Sequence, residues 1–190
     1  MNFDDINIKN YEIATPYPNI TVTTNELKNL EPDNGVKTIS MLINAYAGNK
    51  GEFTASAQYI YQSFLVKKEY EHLYELLEKV AIKEMQHMEI LSQILVNLNV
   101  NPKFCRYIDN NINICNNWSA NHIKYITDIK EFINYNITLE TDAIHDYNQI
   151  LQTTYNENLK EIINRILMDE KLHLELFYAI SNRITENTPS

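Results

Sequence analysis

Glycine is scarce here: the chain has three in 190 residues, with five prolines, two cysteines and a single tryptophan. So few breakers leave long uninterrupted stretches, which argues against an all-β domain of short strands and frequent turns. Cys105 and Cys115 cannot make a disulfide framework, and neither stands in a Cys-x-x-Cys or beside a histidine at zinc spacing. They read as ordinary thiols of a reducing compartment. Cations are outnumbered, 16 Lys and Arg against 25 Asp and Glu, for a formal net charge of −9. A nucleic-acid partner, which relies on clustered Lys and Arg, is not expected. The acidity serves solubility and also suits a protein that attracts metal cations. No apolar run approaches the ~20 residues of a membrane span, and no basic patch followed by an apolar run marks a signal peptide. A cytoplasmic protein without membrane partners is the expectation. With 44% hydrophobic residues the chain can bury a full core in one domain with an appendage.

What is present is a pattern repeated along four amphipathic segments. The stripe Leu73, Leu77, Val80, Glu84, His87, Leu91, Ile94, Leu98 keeps helical spacing, and only Glu84 and His87 break its apolar character. The stripe Leu159, Ile163, Ile166, Glu170, His173, Phe177, Ile180 does the same with Glu170 and His173. Two further stripes carry one glutamate each, Glu52 between Ala45 and Ser63 and Glu140 between Ile126 and Leu151. Charged groups on a core seam need compensation, because an unpaired buried charge is very costly. A bundle that projects Glu from two helices and Glu-x-x-His from the other two is a carboxylate-bridged dimetal site. Nearly equal intervals separate Glu52 from Glu84 and Glu140 from Glu170, so each half reads as a helical hairpin.

The fold expected is all-α, a four-helix bundle over 35–184 with a long crossover between the second and third helices. The first helix is read from Asp33 or Asn34 to Val66, continuous through Gly48 and Gly51 although each glycine costs about 1 kcal/mol against Ala. The others are read over about Glu69–Leu98, Ile126–Tyr155 and Leu159–Arg183. Residues 1–34 read as an extended arm with a strand-like piece at Ile20–Thr23. Residues 99–124 form the crossover, and 185–190 a fraying tail.

Six groups are the metal-ligand candidates: Glu52, Glu84, His87, Glu140, Glu170 and His173. Oxygen and imidazole donors without thiolate suit two iron or manganese ions, while zinc could fill the site without redox work. Glu84 and Glu170, shared between the ions, are also catalytic candidates. Tyr59 joins them as a hydroxyl on the seam, and Tyr147 occupies the matching place; each either anchors a ligand, relays an electron or simply packs. Gln58 is read as a group orienting a ligand.

These motifs resemble the ferritin-like superfamily. Gly51–Tyr59 (GEFTASAQY) is similar to the first-helix E-L-T-A-x-x-Q-Y of bacterioferritins, Ala81–His87 to their A-x-x-E-M-x-H, and Ile166–His173 to their I-L-x-D-E-x-x-H. Manganese catalases share the order of the six groups, while Ala143 stands where rubrerythrins carry a further glutamate. The resemblance implies a di-iron or di-manganese centre at the positions named. It also implies iron oxidation, peroxide reduction or peroxide disproportionation. The substrate expected is hydrogen peroxide or dioxygen, with an electron donor of unknown kind, and the assembly expected is a homodimer. Met85 falls at the family's haem-ligating position, but haem is not expected. A non-catalytic structural or coat protein, in which metals merely fix the fold, is the alternative from another class.

Overall fold

The computed structural model describes residues 1–7, 36–108 and 111–186. Its elements are α1 (Val36–Ala47), α2 (Glu52–Val66), α3 (Glu71–Asn97), a β-hairpin of β1 (Cys105–Ile108) and β2 (Asn111–Asn117), a 3₁₀ turn at Ala120–His122, α4 (Ile129–Thr153) and α5 (Glu157–Glu186). The four long helices α2 to α5 form the bundle, paired as the hairpins α2–α3 and α4–α5. No described helix is long and apolar enough to cross a membrane.

Helix direction explains the crossover. The turn at Lys67–Tyr70 makes α2 and α3 antiparallel. Side-chain hydrogen bonds from α2 to α4 link Tyr59 with Glu140, Tyr147 with Glu52, and Gln62 with Asn136. Positions rising along one helix meet positions falling along the other, so α2 is antiparallel to α4 as well. Helices α3 and α4 therefore run parallel, and the chain must travel back along the bundle between them. The return is not wholly irregular, as the sequence pattern suggests. It contains the antiparallel hairpin, with Cys105 facing Asn117 and Tyr107 facing Cys115.

Where the ends fall has local causes. Helix α3 stops at a left-handed Asn99 (φ 58°), with Val100 N donating to Leu95 O at 2.8 Å. This is the six-to-one bond of a Schellman cap. Helix α4 starts at Asp128, whose carboxylate accepts from Glu131 N at 2.9 Å. Helix α5 runs to Glu186, beyond the end read near Arg183.

The continuous first helix expected from the sequence is instead two helices, interrupted at residues 48–51. A Cβ on Gly48 would sit 2.5 Å from the Asn44 carbonyl oxygen, and one on Gly51 2.4 Å from that of Ala45. Only glycine fits so close to backbone. The interruption places Glu52 in the first turn of α2, where the helix dipole favours an acidic side chain.

Of the N-terminal arm, residues 8–35 lie outside the described part, including the strand-like reading at Ile20–Thr23; so do 187–190 of the tail. The first seven residues dock on the bundle: Phe3 and Ile6 are buried, and the Ile6 carbonyl meets His72 Nε2 at 2.8 Å.

The apolar core is in two pieces. One gathers Leu42, Tyr46, Leu91, Ile94, Ile150 and Ile163; the other gathers Leu73, Leu77, Phe132, Ile133, Phe177 and Ile180. Between them lies a polar layer.

Candidate metal centre

That layer consists of the six side chains singled out by spacing. Glu52, Glu84, His87, Glu140, Glu170 and His173 are all buried, none more than 5% exposed. The helices that carry Glu84, His87, Glu170 and His173 are otherwise mainly apolar on their inward face, so packing carries these groups inside, whereas α2 also buries Thr54, Ser56, Gln58, Gln62 and Ser63 beside Glu52. They fall into two sets of four donors, each set with its ligand atoms within 4.8 Å of one another: Glu52, Glu84, His87 and Glu170, and Glu84, Glu140, Glu170 and His173. Glu84 and Glu170 belong to both.

Distances follow the same division. His87 Nδ1 lies 2.9 Å from Glu84 Oε2, 2.8 Å from Glu170 Oε1 and 3.7 Å from Glu52 Oε2. His173 Nδ1 lies 3.0 Å from Glu84 Oε1, 3.6 Å from Glu140 Oε2 and 3.9 Å from Glu170 Oε2. The two imidazoles face each other with centroids 5.9 Å apart.

Much of this proximity is not hydrogen bonding. Among the described residues six buried side-chain N or O atoms lack a hydrogen-bond partner, and four of them are Glu84 Oε1, Glu140 Oε2, Glu170 Oε1 and His173 Nδ1. Buried polar atoms are almost always satisfied. Four orphans converging at one depth have lone pairs aimed at a common space, which is what cations require. The donor set therefore fits two metal ions, with carboxylate and imidazole ligands and no sulfur.

The electrostatics point the same way. Burial pushes the Glu52 and Glu140 carboxyls well above the usual range, helped by Glu170 and Glu84 respectively. Burial opposes ionisation of Glu84 and Glu170 too, but the histidines outweigh it and hold both below that range. Desolvation would lower His87 and His173, yet Glu170 and Glu84 lift them well above an ordinary imidazole. Without metal, the layer thus favours protons in the place of cations, on the imidazoles and on the Glu52 and Glu140 carboxyls.

Around this layer the structure adds partners that the sequence reading missed or misplaced. Tyr59 donates to Glu140 Oε1 and Tyr147 to Glu52 Oε1. Each tyrosine serves the glutamate of the opposite hairpin rather than the one a few turns before it on its own helix. Burial raises both phenols, so they remain donors. His87 Nε2 meets Asp169 Oδ2 at 2.9 Å, which fixes the ring with Nδ1 inward. Burial pushes Asp169 up to about 7. Its place next to Glu170, in a stretch quoted for its motif, was the available signal. Gln58 orients no ligand: its amide pairs with the Lys124 backbone at 2.9 and 2.7 Å and pins the crossover to α2. Gln62 and Asn136 exchange two amide hydrogen bonds, at 2.8 and 2.7 Å, about one turn beyond Tyr59. Met85 points outward, 38% exposed. His145 is exposed and pairs with Gln149, away from the layer.

A probable manganese catalase of Clostridium acetobutylicum is 26% identical over 152 residues, covering 72% of this chain and 67% of its own. Among solved structures, a manganese catalase from Anabaena superposes with a TM-score of 0.70 at 20% identity, covering 85% of this chain and 78% of its own. A bacterioferritin from Desulfovibrio desulfuricans gives 0.65 at 20% identity, covering 80% and 81%. At that identity these two structures show a shared ferritin-like fold. The sequence model of one family, described as rubrerythrin, matches residues 44–181 and so spans all six donors. The chain belongs to the rubrerythrin family, within the ferritin-like dimetal carboxylate proteins.

Proposed function

We propose that this protein is a dimetal oxidoreductase acting on hydrogen peroxide or dioxygen, with iron or manganese as the resident pair. The observation that carries the reading is the sharing of Glu84 and Glu170 between two four-donor sets. Glu52 and His87 would complete one ion's protein ligands, and Glu140 and His173 the other's. When bound, the pair supplies a two-electron change that zinc lacks.

The protein's own contribution follows from the geometry. The two apolar clusters exclude bulk water from the layer, so each dipole within it acts more strongly than in solvent. Tyr59 and Tyr147 hold one oxygen of Glu140 and Glu52 in place. Glu140 Oε2 is left without a donor, so it is open to a cation while Tyr59 keeps Oε1 fixed. Glu84 and Glu170, buried between the histidines, would supply oxygens to both ions. Asp169 keeps His87 from rotating.

A second reading, manganese-dependent disproportionation of peroxide, is favoured by the relative named a probable manganese catalase. Metal content measured together with turnover separates the readings. Iron, with peroxide consumed only when a reductant is added, is the expected outcome for the peroxidase type. Manganese, with dioxygen evolved from peroxide alone, indicates the catalase type. Protein that binds two ions and turns over neither substrate would sink the redox assignment and leave the metals a structural role.

A further inference from the structure

The two sets of donors are built alike in most respects. Each joins one glutamate of its own to the shared Glu84 and Glu170. Glu52 and Glu140 each accept a hydrogen bond from a tyrosine of the opposite hairpin. The buried Gln62–Asn136 amide pair ties α2 to α4 about one turn from Glu140. The Glu140 carboxylate is therefore braced at least as well as that of Glu52.

The histidines differ. His87 has no exposed surface, and its Nε2 meets Asp169 Oδ2 at 2.9 Å. The His173 side chain keeps 6% of its surface exposed, and among the described residues no hydrogen bond holds its Nε2. A break in the internal repeat accounts for this. Asp169 stands one residue before the shared Glu170, whereas the residue before Glu84 is Lys83. With a cation on Nδ1, an imidazole carries its proton on Nε2 and needs an acceptor there, and an ammonium only donates. A carboxylate on the outer nitrogen fixes the ring and makes it a more basic ligand. The inner distances show the same inequality. His87 Nδ1 lies 2.9 and 2.8 Å from Glu84 and Glu170, while His173 Nδ1 lies 3.0 and 3.9 Å from them.

We propose that the centre holds its two ions unequally. The ion on Glu52 and His87 is retained, the ion on Glu140 and His173 is exchangeable, and Asp169 is the positioning residue that sets the difference. The proposal rests on the reading of the six groups as ligands. When metal is scarce the protein then keeps one ion and draws the second from solution, so completion of the pair follows metal supply.

The test is the loss of Co²⁺ from loaded full-length protein challenged with excess EDTA, followed by elemental analysis of the protein over time. Wild type should lose one ion about tenfold or more faster than the other. Repulsion between two equivalent ions would also give two phases, so variants that carry a single ion make the assignment. Glu140→Gln, which keeps the Glu52 set whole, should release its ion slowly. Glu52→Gln, which keeps the Glu140 set whole, should release its ion rapidly. Asp169→Asn preserves the shape of the side chain but not its charge. It should speed the slow phase by about ten- to hundredfold and leave the fast phase within about twofold of wild type. Thermal melts of the metal-free proteins check that each variant folds, and the comparison of Glu52→Gln with Glu140→Gln needs no change at Asp169. Equal release rates in those two variants would overturn the inequality while leaving the centre standing. Wild-type phases in Asp169→Asn would overturn the role given to Asp169. Failure of the wild-type protein to bind Co²⁺ at all would instead remove the centre itself, and the proposal with it.

Discussion

A glutamate buried beside another glutamate is normally a defect, and here two such residues sit at the middle of the core. Glu84 and Glu170 are each 1% exposed, and each belongs to both donor sets. Their tolerance depends on what faces them, the histidines and protons in the metal-free state and cations in the loaded one. Glu52 and Glu140 differ, since each serves a single set and is held by a tyrosine from across the bundle. That asymmetry predicts unequal effects of the same substitution. Glu52→Gln should leave about one ion per chain, because the Glu140 side keeps all four donors. Glu84→Gln removes a donor from both sets and should bring the content below about one. Elemental analysis after dialysis against equal free metal checks this. Equal losses in the two variants would mean that Glu84 is not shared.

At the scale of the elements, the interruption between α1 and α2 decides where Glu52 points. Gly48 and Gly51 each face backbone carbonyls that a Cβ would strike. Gly51→Ala should therefore destabilise the protein by more than about 1 kcal/mol, and a urea titration measures it. It should also weaken the Glu52 side of the centre, because Glu52 begins α2 only when the turn closes. Unchanged stability would show that the turn relaxes freely. This break was the feature hardest to read from the chain. Both glycines lie in a stretch whose flanking apolar spacing continues almost unbroken, and glycine inside a helix is a cost rather than a prohibition. The long helices were legible because Leu, Ile and Val recur at steps of three and four, and because Asp128 and Asn99 cap as their types prefer. The crossover hairpin was not, since Asn111–Asn117 is rich in asparagine and shows little strand-like alternation. The six candidate donors were visible because they recur in one order on four amphipathic segments, most of them breaking a largely apolar stripe; Asp169 was not, because beside Glu170 it looks like one more surface acid. Gln58 carried no signal separating a ligand's partner from a clamp on the crossover.

Taken whole, the molecule is two apolar clusters held apart by an ionisable layer, and its stability is tied to what fills that layer. In the metal-free protein His87 and His173 are raised well above an ordinary imidazole, and the carboxyls of Glu52 and Glu140 are raised as well. The folded state then binds more protons than the unfolded chain, so stability falls as pH rises. For the histidines the full contribution is present below about 6.5, the unfolded value, and is lost as pH climbs through the folded ones. Glu84 and Glu170 are lowered, so their contribution is present above the ordinary carboxylate range and is lost in acid. The metal-free protein should therefore melt highest between these limits and lose melting temperature on the alkaline side. Loading two ions should displace protons from His87, His173, Glu52 and Glu140, and the alkaline loss should disappear. Calorimetric titration in buffers of different ionisation enthalpy counts the protons, and melts of both forms from pH 5 to 9 supply the profile. A metal-free protein equally stable at both ends, or loading without proton release, would mean that the layer is not held together by the charges assigned to it. The link between fold and function at this scale is that one set of groups both divides the core and offers the cations their place, so each metal bound should also raise the cost of unfolding.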